Sequence, residues 1–268
     1  MKYVATVHRP DDLEAAARAV AEAAGLALAE ARMRLSREPP ALLAPLEAAT
    51  ADALAARLCE HGLAALAIAA HVPSDRDRTV ARTIEFSREG VTFSPRFGEP
   101  MHVAWPEVMA VLRGARESRK DTYSVERIPR PSGWAAWVTD GRWVTTHEKK
   151  TSHSSEESVQ HVILVYARDG RAGMVADDDF DFTCLGTMKQ PSSTASLTQL
   201  AHKLRDNAAT AFYDERLVRL GCRPLPLVAD MESRSQSSVK SVLRTDTSAS
   251  FDVLSETMRQ ALLTGLLP

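Results

Sequence analysis

The spacing of apolar residues changes period at about residues 71–78, and no other feature narrows the fold as much. Before that point apolar side chains recur every three to four positions, the period of a helix face. Beyond it they alternate, the period of a strand with one buried face. The stretch between, HVPSDRDR, is polar and carries Pro73, so it reads as a domain boundary. Helices gathered mostly on one side and strands on the other define an α+β chain. At 268 residues, 44% of them hydrophobic, the chain is long enough to fill two cores.

The first part opens with a β-rich run, Lys2 to Val7. Pro10-Asp11-Asp12 then supplies a helix start, with carboxylates where the helix dipole favours them. Leu13, Ala16, Ala17, Val20 and Ala24 fall on one helix face, and Gly25 is expected to end that helix in the left-handed conformation. Leu28, Ala31 and Leu35 make a second short stripe, stopped by Pro39-Pro40. Thr50 is placed to cap a third helix carrying Leu54 and Leu58, closed by Gly62, and LAALAIA (63–69) reads as a buried strand. Gly25 is therefore the corner of a helical hairpin.

The run Gly25-Leu26-Ala27-Leu28-Ala29-Glu30-Ala31-Arg32, with Pro39 after it and ADALAARLCEHG ending at Gly62, resembles the C-terminal domain of the bacterial ribosomal stalk protein. That family pattern is Gly-Leu-x-Leu-x-Glu-Ala-Lys, and no gap is needed between Gly25 and Gly62. The resemblance covers about the first 70 residues. It implies a β-α-α-β-α-β domain over 1–72 that recruits proteins through a basic face on the first helix and the hairpin. Arg18 and Arg32 keep charge at two of the family's basic positions, whereas Ala21 and Ala29 do not. The chain begins at the domain's first strand, so the family's dimerisation segment and hinge are expected to be missing. A reused interaction domain is implied rather than a ribosomal component.

Beyond the boundary, RTIEF and VTF flank Ser87–Gly90, and MHVAW and EVMAVLR follow. Two further hairpins read from Asp-Gly pairs: WAAWVT-DG-RWVTT and VILVYAR-DG-RAGMV. Asp-Gly between such runs favours a type I′ turn, which in the first places Trp137 opposite Val144 and Val138 opposite Trp143. A helix is expected at about 195–219, with Leu197, Leu200, Leu204 and Ala208 on one face. Strands closed by one helix, over 79–225, resemble bacterial pleckstrin-homology-like domains, which implies an antiparallel β-domain.

TSHSSEES (151–158) is expected to be a loop, and residues 226–249 a Ser-rich linker. The last segment, 250–268, carries a stripe of Phe251, Leu254, Met258 and Leu262. Such a helix either docks on its own chain or inserts into a partner's groove.

Chemistry is sparse. The chain has no phosphate-cradling glycine loop and no G-x-S-x-G elbow. Its three cysteines are scattered, which argues against a disulfide framework and for a reducing compartment. Cys184 reads as a structural thiol. His147, His153 and His161 match no zinc spacing. DDDFD (177–181) begins like a calcium loop, but Phe182 stands where the turn needs Gly, and Met188 where a bidentate Glu is needed. RGARESRKDTYSVERIPRP (113–131) is basic and holds Tyr123, yet Glu117, Asp121 and Glu126 dilute the charge, so it reads as a solvated insertion. A formal net charge of −2 makes no overall case for nucleic acid. No run approaches the ~18 apolar residues of a membrane span, and none at the start is long enough for a signal peptide. A cytoplasmic location is expected.

The expectation is therefore a non-catalytic protein–protein interaction or adaptor protein needing no cofactor or metal, its surface at Arg18, Leu26, Leu28 and Arg32 and its partner acidic. The alternative is ligand or lipid-headgroup binding by the β-domain through Arg116, Arg119 and Lys120. An enzyme of unrecognised type is a third class.

Overall fold

In the computed structural model, Asp12 starts the first helix by accepting hydrogen bonds from the backbone N–H groups of Glu14 and Ala15, both at 3.0 Å. The structure describes residues 1–131, 145–228, 233–236 and 240–268, with side chains over 1–124, 152–228 and 244–268. Helix α1 (Leu13–Ala24) ends at Gly25, whose φ of 62° is the left-handed cap. Helix α2 (Leu28–Leu35) follows, and strand β2 (Ala41–Leu46) begins directly after the two prolines. Helix α3 (Ala48–Glu60) starts three residues earlier than Thr50 as its cap would place it, with Glu47 at the cap and no side-chain bond there. With β1 (Lys2–Thr6) and β3 (Ala65–Ala69) the order over the first seventy residues is β-α-α-β-α-β.

These three strands form an antiparallel sheet in the order β2-β1-β3. Strand periodicity divides their side chains between two cores. Val4 and Leu43 face α1, α2 and α3, where Ala17, Val20, Leu35, Leu54 and Leu58 are buried. Tyr3, Ala5, Leu42, Leu66 and Ile68 face the other way, into a core shared with residues from the rest of the chain. Burial on both faces accounts for the unbroken apolar stretches Tyr3–Ala5 of β1 and Ala41–Ala44 of β2.

The chain divides into two compact units, and the boundary is not where the change of period placed it. Met1–Glu117, Val159–Asp230 and Thr247–Pro268 make one, and Ser118–Ser158 with Met231–Asp246 the other. Residues 71–78 are internal to the first. Ser74 and Asp77 close a capping box there, and Arg78 is buried.

In the first unit, β4 (Thr79–Phe86), β5 (Gly90–Pro95) and β6 (Met101–Ala104) form a meander, with Phe86 opposite Val91 across the Ser87–Gly90 turn. The inner part of β7 (Val108–Pro131), the inner part of β8 (Thr145–Ala167) and β9 (Ala172–Ala176) extend this sheet. Antiparallel pairing throughout was expected. The sheet is mixed: β4 pairs β9 in parallel, and β10 (Phe212–Asp214) pairs β7 in parallel. Leu112, Val162, Leu164 and Met174 enter the core shared with β1–β3, while Val111, Ile163, Val165 and Val175 face a third core under α4 (Ser193–Asn207). Leu197, Leu200, Leu204 and Ala208 are buried there, as their spacing predicts. Each such leucine contributes roughly 1.5–3 kcal/mol on burial. The helix does not run on to 219. It ends at Asn207, and α5 (Leu217–Leu220) is separate because β10 intervenes to pair with β7.

The β8–β9 turn also differs from expectation. The Gly170 N–H donates to the Ala167 carbonyl at 3.1 Å, and only Gly170 has positive φ, at 92°. Arg168 and Asp169 are thus the central residues, and Gly170 makes the bulge of a three-residue loop rather than half of a type I′ pair. The first Asp-Gly hairpin, with Trp137, Val138, Trp143 and Val144, lies outside the described residues.

Two expected irregular segments are strands. Residues 151–158 lie within β8. The expected linker, 226–249, holds β11 (Ser233–Gln236) and β12 (Lys240–Asp246), the latter paired with residues 118–124 of β7. Polar strands of this kind form the second unit. Their ladder is carried by backbone hydrogen bonds that composition does not reveal. The final helix, α6 (Ser248–Leu263), docks on its own chain, with every residue from Ser250 to Met258 buried. One apolar stripe was expected, but its polar side is enclosed as well.

Candidate functional site

The helical hairpin brings Arg18, Leu26, Leu28 and Arg32 onto two adjoining helices and their corner. Arg18 is exposed, two turns from the Gly25 corner, and has no ion-pair partner among the described residues. Arg32 is exposed on α2 and pairs with Glu14 of α1. Leu26 and Leu28 are half-buried, packed against the helical core while keeping surface in water. Met33, to which no spacing rule points, is 59% exposed beside Arg32. The face therefore mixes one uncommitted guanidinium, one weakly committed one and apolar side chains.

Arg116, Arg119 and Lys120, the alternative site, fall in different surroundings. Arg116 belongs to the first unit, and its side chain is 13% exposed; it pairs with Asp75 at 2.7 Å and donates to Gln160 Oε1 at 2.6 Å. Arg119 and Lys120 belong to the second unit, where Arg119 pairs with Asp121 at 3.0 Å and Lys120 approaches Glu156 at 3.8 Å. Also there, Tyr123 stacks on His153 with ring centroids 4.4 Å apart. A hydrogen bond from Ser155 holds the Asp121 carboxyl below its ordinary range, and Arg119 adds to the effect.

Sequence reasoning missed the polar centre of the first unit. The Arg78 side chain is fully buried: it bonds Asp252 of α6 at 2.5 Å and the Pro73 carbonyl at 2.9 Å, and its Nε has no hydrogen-bond partner among the described residues. On the same helix Ser255 Oγ lies 3.3 Å from the Tyr166 hydroxyl, and Glu256 pairs with Arg259 at 2.7 Å. Burial pushes the Tyr166 phenol above its ordinary value, so it stays neutral. These groups are spent on one another and on holding α6. Arg78 and Asp252 are 174 positions apart, and no spacing rule joins them.

The remaining chemical candidates have structural partners. Asp177 accepts from the His161 N–H and the Thr194 hydroxyl, Asp178 from Gln160, and Asp179 pairs with Arg82, so the acidic run is dispersed instead of converging. Among the described residues no group of His, Cys, Asp and Glu could hold a metal. Cys184 is half-buried and its thiol pKa is raised by burial, which disfavours the thiolate. His147 lies outside the residues whose side chains are described. A cleft of about 400 Å³ runs beside β4 and the β5–β6 loop. There Phe97 is 83% exposed with the Arg96 guanidinium 5.6 Å from its ring. No described helix is long and apolar enough to cross a membrane.

Compared with known proteins, the chain matches no family model, no curated protein and no solved structure.

Proposed function

We propose that this chain is a non-catalytic interaction protein whose α1–α2 hairpin receives an acidic segment of another protein. The observation that carries this reading is the state of Arg18, an exposed guanidinium without an ion-pair partner among the described residues, on a hairpin whose Leu26, Leu28 and Met33 keep apolar surface in water. Apolar contacts supply affinity at such a surface, and flanking positive charge steers an acidic partner toward it. The resemblance to the stalk protein's C-terminal domain points to the same face. The competing surfaces are less free: α6 is buried in its own chain, and Arg116, Arg119 and Lys120 each have a carboxylate. Headgroup binding by those three would need these pairs to open.

The test is capture of partners from the native host by wild type and by the Arg18→Glu/Arg32→Glu variant, at two salt concentrations, with circular dichroism to verify folding. Loss of an acidic protein from the variant, with its wild-type recovery falling as salt rises, supports the hairpin. Equal recovery of every specific partner moves the function elsewhere.

A further inference from the structure

A pocket lies at one edge of the first unit's main core. Leu42 at the start of β2, Leu220 of α5 and Leu254 of α6 are among its most buried members, at 2%, 6% and 1% exposure. Yet all three, with half-buried Leu225, also line a pocket of about 230 Å³. The pocket is open to water, with Arg223, Pro224 and Pro226 exposed around it. Prolines 40, 224 and 226 stiffen its walls. Leu225, Pro224 and Pro226 give it an apolar lining that offers water no side-chain hydrogen bonds, so a hydrocarbon group would displace that water favourably.

The polar lining is unequal in sign. Glu38 is committed to Arg219. Arg37 and Arg223 also line the pocket, and neither has an ion-pair partner among the described residues. Two uncommitted guanidiniums beside an apolar floor favour an anionic head on an apolar tail, and a carboxylate fits the planar guanidinium fork. Chemistry at this site is independent of the hairpin surface.

We propose that this pocket binds a small amphipathic carboxylate, its short aliphatic tail on Leu225, Pro224 and Pro226 above the buried Leu42, Leu220 and Leu254, and its carboxylate toward Arg37 and Arg223. Octanoate is the probe, titrated into the full chain by calorimetry, with octanamide as the uncharged match and acetate as the tailless one. The expected result is saturable octanoate binding at one site, with octanamide and acetate at least about tenfold weaker. The R37Q/R223Q variant should lose about tenfold toward octanoate while its affinity for octanamide is unchanged. The L225W variant, which fills the pocket, should lose both probes. Circular dichroism establishes that each variant is folded, and the charge variant alone suffices if L225W is not. Absence of saturable octanoate binding overturns the proposal. So does octanamide binding as tightly as octanoate, or octanoate affinity unchanged in R37Q/R223Q.

Discussion

Arg78 and Asp252 set the cost of the polar centre at the residue scale. Burying either charge alone is expensive, whereas the pair offsets much of its own desolvation. Replacing Asp252 by Ala leaves the fully buried Arg78 guanidinium with the neutral Pro73 carbonyl and, as its remaining ion-pair partner among the described residues, the more distant Asp75, at 3.4 Å. A loss of about 3–5 kcal/mol is expected in chemical denaturation. Replacing both partners together, R78M/D252L, should recover much of that loss, because two apolar groups remove both desolvation penalties. A double variant no more stable than D252A would mean that the loss does not come from the stranded guanidinium. Glu215 gives a second test at this scale. Its carboxylate accepts hydrogen bonds from the Tyr213 hydroxyl and from Arg113, which hold its pKa below the ordinary 4.5. A carboxylate depressed in the folded state stabilises above its unfolded pKa, and that contribution fades as pH falls through the lower folded value. Glu215→Gln should therefore lower stability at neutral pH and flatten its decline below about pH 4.5. Because the side chain is 40% exposed, the effect is small. Urea melts between pH 3 and 7 read it, and an unchanged acid slope contradicts it.

Among the elements, α6 depends on close approach and the α1–α2 corner on backbone conformation. A Cβ on Gly221 would lie 2.2 Å from the Ala115 carbonyl oxygen and 2.8 Å from Phe251 Cδ2. Gly221→Ala must then displace β7 backbone or α6, at a cost on the order of 1–3 kcal/mol. A Cβ on Gly25 meets nothing within 4 Å, so Gly25→Val is penalised by its left-handed φ alone, about 1–2 kcal/mol. Thermal melts of the full chain separate the two: G221A should also speed hydrogen exchange in α6, and G25V should not. Faster α6 exchange in G25V would contradict this division. The same elements mark what a sequence discloses. Asp12, Gly25 and the Leu197–Leu200–Leu204 stripe act through neighbours a few positions away, so their roles could be read directly. The split of the expected helix at 195–219 depends on β10 finding β7, and the conversion of 226–249 to strand on β12 finding residues 118–124. Both are long-range pairings made by backbone groups that every residue carries. Of the candidate site, the exposed arginines were legible. Met33 was not, because nothing in the spacing separates a surface methionine from a core one.

For the whole molecule, the change of period at 71–78 marks a change of element type but not of core. Tyr3, Ala5, Leu42, Leu66 and Ile68 are buried against residues beyond that boundary. A fragment of residues 1–72 would expose them, so it should show at best weak dichroism and no cooperative melt, whereas the full chain melts cooperatively. A well-folded fragment would contradict the shared core. The α1–α2 hairpin, and with it the proposed partner surface, packs on the face of the three-stranded sheet opposite this shared core.

Site-specific photo-crosslinking in the native host tests the interaction most directly. A photoreactive side chain at the exposed Ala29, between Leu28 and Glu30, sits within the proposed surface, and one at exposed Phe97 serves as comparison. The expected result is a discrete adduct with an acidic protein from position 29, reduced by Arg18→Glu and by raised salt, with no adduct of that protein from position 97. The same protein captured from position 97 and not from position 29 would contradict it.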